Sequence, residues 1–280
     1  MIHTYEPHAP HDRMTFARDF PPARFGKIFT IETGALLHAG RIPFDDDDLS
    51  YLEALYDGGV FEADRHVGDF LEFLGGLGLR DRTLVVVTSD HGEELGDHYR
   101  PFSGNHGHSL HDELLRVPLV IRDPVESFPI RRVPSQVRVI DVLPTIADIL
   151  GARVDFSIDG ASLLPVMRGR ETEGRIAWGR VTWFGPHQMY LRHRGFKYIV
   201  VTREAEPDRL PVPPPPPPVQ LHDLARDPRE RINLAPTRPE IVREMQRLLD
   251  SLRTRIGPGE PEQRIRAGET MLQCDTRARG

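Results

Sequence analysis

The chain has 280 residues, enough for one large α/β domain or for such a domain with a smaller companion. Its hydrophobic content of 39% and its charged content of 28% are typical of a folded globular protein. The net charge of −6 argues against a general nucleic-acid surface, and no apolar run is long enough to span a membrane. The single cysteine, Cys274, excludes an internal disulfide framework, and no signal peptide is predicted at Met1.

The N-terminal quarter combines a His- and Pro-rich opening with one long predicted helix. Residues 2–11, taken alone, are more typical of a disordered terminus than of a site. Residues 21–43 are irregular and predict at most a short helix. The four acids at 45–48 are able to bind a cation, but the pattern favours a solvated N-cap. From Leu49 apolar residues recur at helical spacing up to the glycines at 75–78, although Gly58-Gly59 weaken the middle.

The most informative stretch runs from Leu84 to Glu94. Its apolar, β-branched part has no polar alternation, which predicts a parallel strand buried on both faces. Asp90 and His91 follow at the carboxyl end, where open α/β sheets bind their ligands. Gly92 lets the backbone turn, so that both side chains can face one cation. The alternative is a strand that ends in an ordinary polar turn.

Histidines are concentrated in the residues that follow this strand. His98, His106, His108 and His111 all fall within twenty residues of His91. A neutral imidazole binds metals, and an imidazolium binds anionic oxygens or delivers a proton. Together with Asp90-His91 this pattern favours a site over the alternative, a solvated loop that happens to be rich in histidine.

The rest of the chain predicts short elements, and after residue 169 the predicted elements are mostly short strands. A strand is expected at 117–121, a short helix at 141–151, and a turn at 159–165 that leads into another short helix. Short strands at 176–181, 188–192 and 196–201 predict a small antiparallel sheet, and an amphipathic helix follows at 241–256. The proline-rich run at 211–219 favours a surface loop over an SH3 ligand. The predicted division is 1–169, 170–256 and a disordered tail at 257–280.

The segments Thr88–His98 and Gly107–Ile121 resemble the sulfatases of the alkaline phosphatase superfamily. The resemblance implies an α/β/α sandwich, truncated at its N-terminus, with a small C-terminal antiparallel sheet and helix. In that family the Asp of Ser-Asp-His-Gly and the next residue bind a divalent cation, which implies Asp90 and His91 here. Ca²⁺ is the first expectation, with Mn²⁺, Mg²⁺ and Zn²⁺ as alternatives. Many sulfatases have Asn at the second position, whereas His resembles phosphonate and phosphate ester hydrolases.

The resemblance also implies the groups that act on an anionic ester. The motif at residues 2–11 is similar to the family segment whose His protonates the leaving oxygen, which implies His8, with His3 as a weaker neighbour. His108 stands near the place of a basic residue that contacts the transferred group, and His106 is a possible accessory. His111 stands where Tyr is common.

The resemblance also implies a nucleophile, which Cys274 does not supply. In the family it is formylglycine, made in a Cys/Ser-x-Pro/Ala-x-Arg motif, and Cys274 lacks that context because Thr276 and Ala278 replace the required residues. Two further acidic metal ligands come from an early strand of the family. The chain is therefore expected to be an incomplete sulfatase-like hydrolase, inactive alone. The alternatives are a phosphate or phosphonate ester hydrolase and a non-catalytic binding protein.

Overall fold

The computed structural model describes residues 1–21, 23–24, 26–99, 103–124, 132–183, 185–203 and 216–256. Helix α1 (Ile31–His38) begins after Thr30, whose hydroxyl accepts a hydrogen bond from the Thr33 amide. Helix α2 (Asp46–Gly76) begins with a reciprocal capping box between Asp45 and Asp48, which confirms the prediction that these acids cap a helix. Side chains of both helices form one hydrophobic core with the N-terminal segment, including Ala17, Phe29, Leu37, Tyr51, Leu52 and Leu55.

Strand β1 (Val85–Thr88) pairs with β2 (Leu119–Arg122) in an antiparallel sheet, with Val85 opposite Arg122 and Thr88 opposite Leu119. The prediction of a parallel strand buried on both faces was therefore wrong, and β1 is only half-buried. An apolar run predicts that a strand is at least partly buried. It does not predict whether the neighbouring strand runs parallel or antiparallel, because that depends on how the chain returns to the sheet. Here it returns through residues 89–118, which include the short helix α3 (Asp112–Leu115).

Two short helices follow β2, namely α4 (Val142–Ile149) and α5 (Leu164–Met167), as the sequence predicts. Gly151 ends α4 with a φ of 61°. Asp141 precedes α4, but its side chain makes no capping hydrogen bond, contrary to the prediction. Its buried carboxylate instead accepts from Arg138 at 2.7 Å and pairs with Arg175 at 3.2 Å. Two guanidinium groups compete better for this carboxylate than the helix amides do.

The C-terminal part is the small antiparallel sheet that the sequence predicts. Its strands lie in chain order: β3 (Ala177–Val181), β4 (His187–His193), β5 (Phe196–Arg203) and β6 (Val219–Asp223). Strand β6 was not predicted as a strand. Helix α6 (Pro239–Ile256) covers one face, and Met245 and Leu249 pack there against Leu191, Tyr198 and Leu221. Most of the proline-rich run, 211–215, and the predicted disordered tail, 257–280, lie outside the described residues.

Buried charges join this sheet to α3. The Nζ atom of Lys197 lies 2.7 Å from Asp112 and 3.0 Å from Glu230, and Arg192 contacts Asp112 at 2.8 Å. Lys197 has no exposed surface. This network holds α3 against the sheet. None of the helices in the described ranges is both long and apolar enough to cross a membrane.

Candidate metal and ester site

Asp90 and His91 lie in the loop that follows β1, and the structure brings their side chains together. The His91 Nε2 atom is 3.8 Å from Asp90 Oδ1, and the His91 amide donates to the same oxygen at 3.1 Å. The Asp90 carboxylate is largely exposed. Partial burial acts to raise its pKa, but the nearby His91 and His3 side chains and backbone hydrogen bonds outweigh this effect and lower the pKa. The carboxylate is therefore ionised near neutral pH and is available to a cation.

Gly92 has a packing role beside this pair. Its amide donates to the Leu114 carbonyl at 2.9 Å, so the loop lies against α3. A Cβ atom at this position would collide with the Glu113 carbonyl oxygen. Only glycine permits this approach, which keeps the loop that carries Asp90 and His91 against α3.

Three imidazoles meet at this point, two from the His-rich loop and one from the distant N-terminal segment. The rings of His91 and His106 are stacked with centroids 3.7 Å apart. The His8 ring stands nearly perpendicular to both, with centroids 6.1 Å from His91 and 5.2 Å from His106. One ligand nitrogen from each ring lies within 4.8 Å of the other two. The structure thus places His8 and His106 beside His91.

The Nδ1 atom of each of these rings faces an oxygen. That of His8 is 2.8 Å from the Ala9 carbonyl, and that of His91 is 2.7 Å from the Gly92 carbonyl. That of His106 is 3.3 Å from Glu93 Oε1. Carbonyl and carboxylate oxygens only accept hydrogen bonds, so each Nδ1 carries the proton. In the neutral imidazole the lone pair is then on Nε2, the atom left to bind a ligand.

The N-terminal segment reaches the site because α2 lets it approach closely. A Cβ atom at Gly59 would collide with the Glu6 carbonyl oxygen, and one at Gly58 with the Arg13 carbonyl oxygen. His11 and Phe29 add a pair of backbone hydrogen bonds at 2.8 and 3.0 Å. These contacts hold His8 in place. The prediction treated Gly58-Gly59 only as a weak point of the helix, and their adjacency within a long helix was the available signal.

Glu93 is a site residue that the sequence reasoning missed. It is buried behind His106, and its charge also acts on the buried His11 and the half-buried Tyr56 side chains. An acid directly after Asp-His-Gly was visible in the sequence, but nothing there indicates that it turns inward.

His108 is buried beside Glu94, with Nε2 3.9 Å from Oε2, and its ring meets Tyr99 edge-on. It is not part of the three-imidazole group, and its predicted contact with the transferred group stays a prediction. His3 lies at the rim of the site, with its ring 4.5 Å from that of Tyr5.

A second group contains His98, His111 and Glu113. His98 Nδ1 is 2.7 Å from Glu113 Oε1, and its Nε2 is 3.2 Å from the Glu230 carbonyl. Because both partners only accept, His98 is an imidazolium with no lone pair for a metal. Burial lowers its pKa, but the hydrogen bond to Glu113 outweighs this effect and raises it. The group is therefore a structural charge network.

The prediction that this chain lacks the nucleophile motif needs one correction. The residues Ser127-Phe128-Pro129-Ile130-Arg131 satisfy the literal pattern Ser-x-Pro-x-Arg. They lie outside the described residues, as does Cys274.

Comparisons with known proteins give a consistent family. The model of the family described as Sulfatase matches residues 1–152. Arylsulfatase K of Xenopus laevis is 30% identical over 221 residues, which cover 75% of this chain and 38% of that protein. The multifunctional alkaline phosphatase superfamily protein PehA of Trinickia caryophylli is 31% identical over 201 residues, covering 61% of this chain and 38% of PehA. The chain thus spans less than two fifths of the length of these relatives.

The fold agrees with solved structures. The crystal structure of the phosphonate monoester hydrolase of Agrobacterium radiobacter superposes with a TM-score of 0.61 at 29% identity. The match covers 75% of this chain and 43% of that one. The predicted alkaline-phosphatase-like fold class is confirmed.

Proposed function

Because the chain belongs to the sulfatase family, we propose that it supplies the cation-binding and acid–base part of a site that hydrolyses sulfuric esters. One observation carries the proposal: His8, His91 and His106 meet beside an ionised Asp90, although they come from separate parts of the sequence. The similarity to an arylsulfatase supports a sulfated substrate. The substrate class is an anionic ester.

Asp90 and His91 fit a divalent cation. A carboxylate oxygen and an imidazole Nε2 with a free lone pair lie 3.8 Å apart, and the Gly92 carbonyl orients the imidazole. Ca²⁺ is proposed first, with Mn²⁺, Mg²⁺ and Zn²⁺ as alternatives. When bound, the cation polarises the ester and neutralises developing charge. Two protein ligands alone bind a hard cation weakly, so we expect a dissociation constant on the order of millimolar.

His8 and His106 act on the ester itself. When His8 is protonated on both nitrogens, its Nε2–H is able to protonate the leaving oxygen, while Nδ1 stays on the Ala9 carbonyl. His106, held by Glu93, is able to donate in the same way to an anionic oxygen of the transferred group. The geometry therefore favours His106 over His108 for this contact, and His3 serves as an accessory at the rim.

A phosphate or phosphonate ester is the second candidate substrate. His91 in place of Asn and the similarity to a phosphonate monoester hydrolase favour it. A non-catalytic binding protein is the third candidate, and it retains the anion-binding groups without turnover.

We further propose that the 280-residue chain alone does not turn over an aryl sulfate. The one cysteine lacks the surroundings of the formylglycine motif, and the match to that motif at 127–131 carries a serine, which we take to remain unmodified. Turnover of a chromogenic aryl sulfate that disappears in His91→Ala and in Ser127→Ala would contradict this statement. An in-frame Cys/Ser-x-Pro/Ala-x-Arg motif in the coding DNA upstream of Met1 would favour sulfate esters, and a Thr there would favour phosphonate esters.

The cation site is tested by calorimetric titration of the chain with Ca²⁺ and Mn²⁺. Asp90→Asn should abolish the binding seen in the parent chain, because the amide removes the charge. Asp97→Asn is the matched control, since Asp97 is exposed in the same loop and outside the cluster. Equal binding by both variants would refute the assignment of Asp90.

A further inference from the structure

We propose that the imidazoles of His8, His91 and His106 form a binding site for a borderline transition-metal ion of the Zn²⁺ class, and that this ion excludes the anionic ester. The site shares His91 with the hard-cation site proposed for Asp90 and His91, but its other two ligands are the imidazoles of His8 and His106 in place of a carboxylate. It stands on the geometry of three side chains and does not require that the chain hydrolyses an ester.

The three rings are already close. One nitrogen from each ring lies within 4.8 Å of the others. Three nitrogens around a tetrahedral Zn²⁺, each at about 2.0–2.1 Å, are about 3.4 Å apart. Contraction of up to about 1.5 Å is therefore needed, and partly exposed side chains achieve this by small rotations. The stacked rings of His91 and His106 have to rotate apart in the same movement.

In each of the three rings, the nitrogen that does not bind the metal orients the ring through a hydrogen bond. Each Nδ1 donates to an oxygen, from Ala9, Gly92 or Glu93, so all three Nε2 atoms carry the lone pair in the neutral form. This is the arrangement in which metal-binding histidines are oriented by carbonyl and carboxylate groups. Three histidines that are neighbours only by chance would not be expected to share this pattern of hydrogen bonds.

The donor chemistry selects the metal. Imidazole suits Zn²⁺, Cu²⁺ and Ni²⁺, whereas Ca²⁺ and Mg²⁺ prefer oxygen. The buried Glu93 carboxylate adds a negative charge behind His106 that favours the bound cation. All three side chains are partly exposed, so that an ion has access from solvent.

Occupation of this site would block the proposed chemistry. A metal on His8 removes the nitrogen that protonates the leaving oxygen, and a metal on His106 removes the donor to the anionic oxygen. Zn²⁺ should therefore weaken binding of an anionic ester or of inorganic sulfate.

The test is calorimetric titration of the 280-residue chain with ZnCl₂. His8→Gln and His106→Gln should each weaken Zn²⁺ binding by about tenfold or more, whereas His187→Gln should not change it. His187 lies on β4, outside the cluster. Circular dichroism establishes that each variant is folded. Equal affinity in all four proteins, absence of binding, or equal loss in His187→Gln would each overturn the proposal.

Absorption of the Co²⁺-loaded chain gives a second measurement. Intense visible bands, absent from His106→Gln, are expected for a tetrahedral nitrogen site. Weak octahedral bands that persist in both His8→Gln and His106→Gln would contradict it. His91 belongs to both proposed sites, whereas His8 and His106 are not Ca²⁺ ligands, so Zn²⁺ binding that depends on these two and Ca²⁺ binding that depends on Asp90 are tested separately.

Discussion

The Oε1 atom of Glu93 lies 3.3 Å from Nδ1 of His106, and the carboxylate is almost fully buried behind the ring. Glu93 thereby fixes which nitrogen of His106 faces the site. In Glu93→Ala the acceptor is lost, so the proton should move to Nε2, the tautomer usual in water.

Nitrogen chemical shifts of His106 measure this change directly. Glu93→Gln is the matched variant, because its amide oxygen still accepts from Nδ1–H and should keep the parent tautomer. If Glu93→Ala leaves the shifts of His106 unaltered, Glu93 does not orient the ring. Zn²⁺ binding should also fall by about 10-fold in Glu93→Ala.

Gly59 of α2 tests how His8 is held in place. Gly59→Ala should destabilise the chain, because the new Cβ collides with the Glu6 carbonyl and the backbone has to shift. Gly68→Ala is the control in the same helix, where no atom lies within 4 Å of the new Cβ. It should stabilise the chain by about 1 kcal/mol through helix propensity. Urea unfolding of both variants measures the difference, and equal effects of the same sign would contradict the packing role.

Lys197 tests the buried charges that hold α3 on the C-terminal sheet. Lys197→Met leaves the Asp112 and Glu230 carboxylates without their fully buried cation, so it should cost about 3–5 kcal/mol in the free energy of unfolding. Arg180→Met, an exposed change on β3, should stay within about 0.5 kcal/mol.

A double variant separates charge from packing at Lys197. Adding Glu230→Gln to Lys197→Met should recover part of the lost stability, because one stranded negative charge is removed. No recovery would indicate that Lys197 contributes through packing alone.

Buried histidines should make the fold acid-sensitive. Burial, followed by neighbouring cations, lowers the pKa of His111 to about 2 and that of His222 to about 4. Because these pKa values lie below the unfolded value of about 6.5, the stabilisation is complete above pH 6.5 and is lost as the pH falls. At pH 5 the loss is on the order of 2 kcal/mol for each histidine.

Urea unfolding at pH 7 and pH 5 measures this loss. His222→Gln should reduce the difference between the two pH values, since it removes one titrating group. His98 acts in the opposite direction: its raised pKa means that its contribution is present at low pH and is lost as the pH rises through the folded pKa. An unfolding free energy that rises from pH 7 to pH 5 would refute the prediction for His111 and His222.

Local elements were predictable because their causes are local. The cap at Asp45, the periodicity of α2, the glycine end of α4 and the short strand-like runs of β4 and β5 are properties of neighbouring residues. The antiparallel pairing of β1 was not predictable, because it depends on a partner strand that the chain supplies after residue 118.

The features of the site also separate into those that the sequence predicts and those that depend on the tertiary structure. The sequence by itself determined that Asp90 and His91 leave a strand together, that histidines crowd the residues after them, and that the chain resembles sulfatases. Only the tertiary structure decided that His8 and His106, rather than His108, stand beside His91, and that Glu93 turns inward to hold His106. The physical reason is that these positions depend on backbone approaches between distant segments, such as Glu6 on Gly59, which no local pattern encodes.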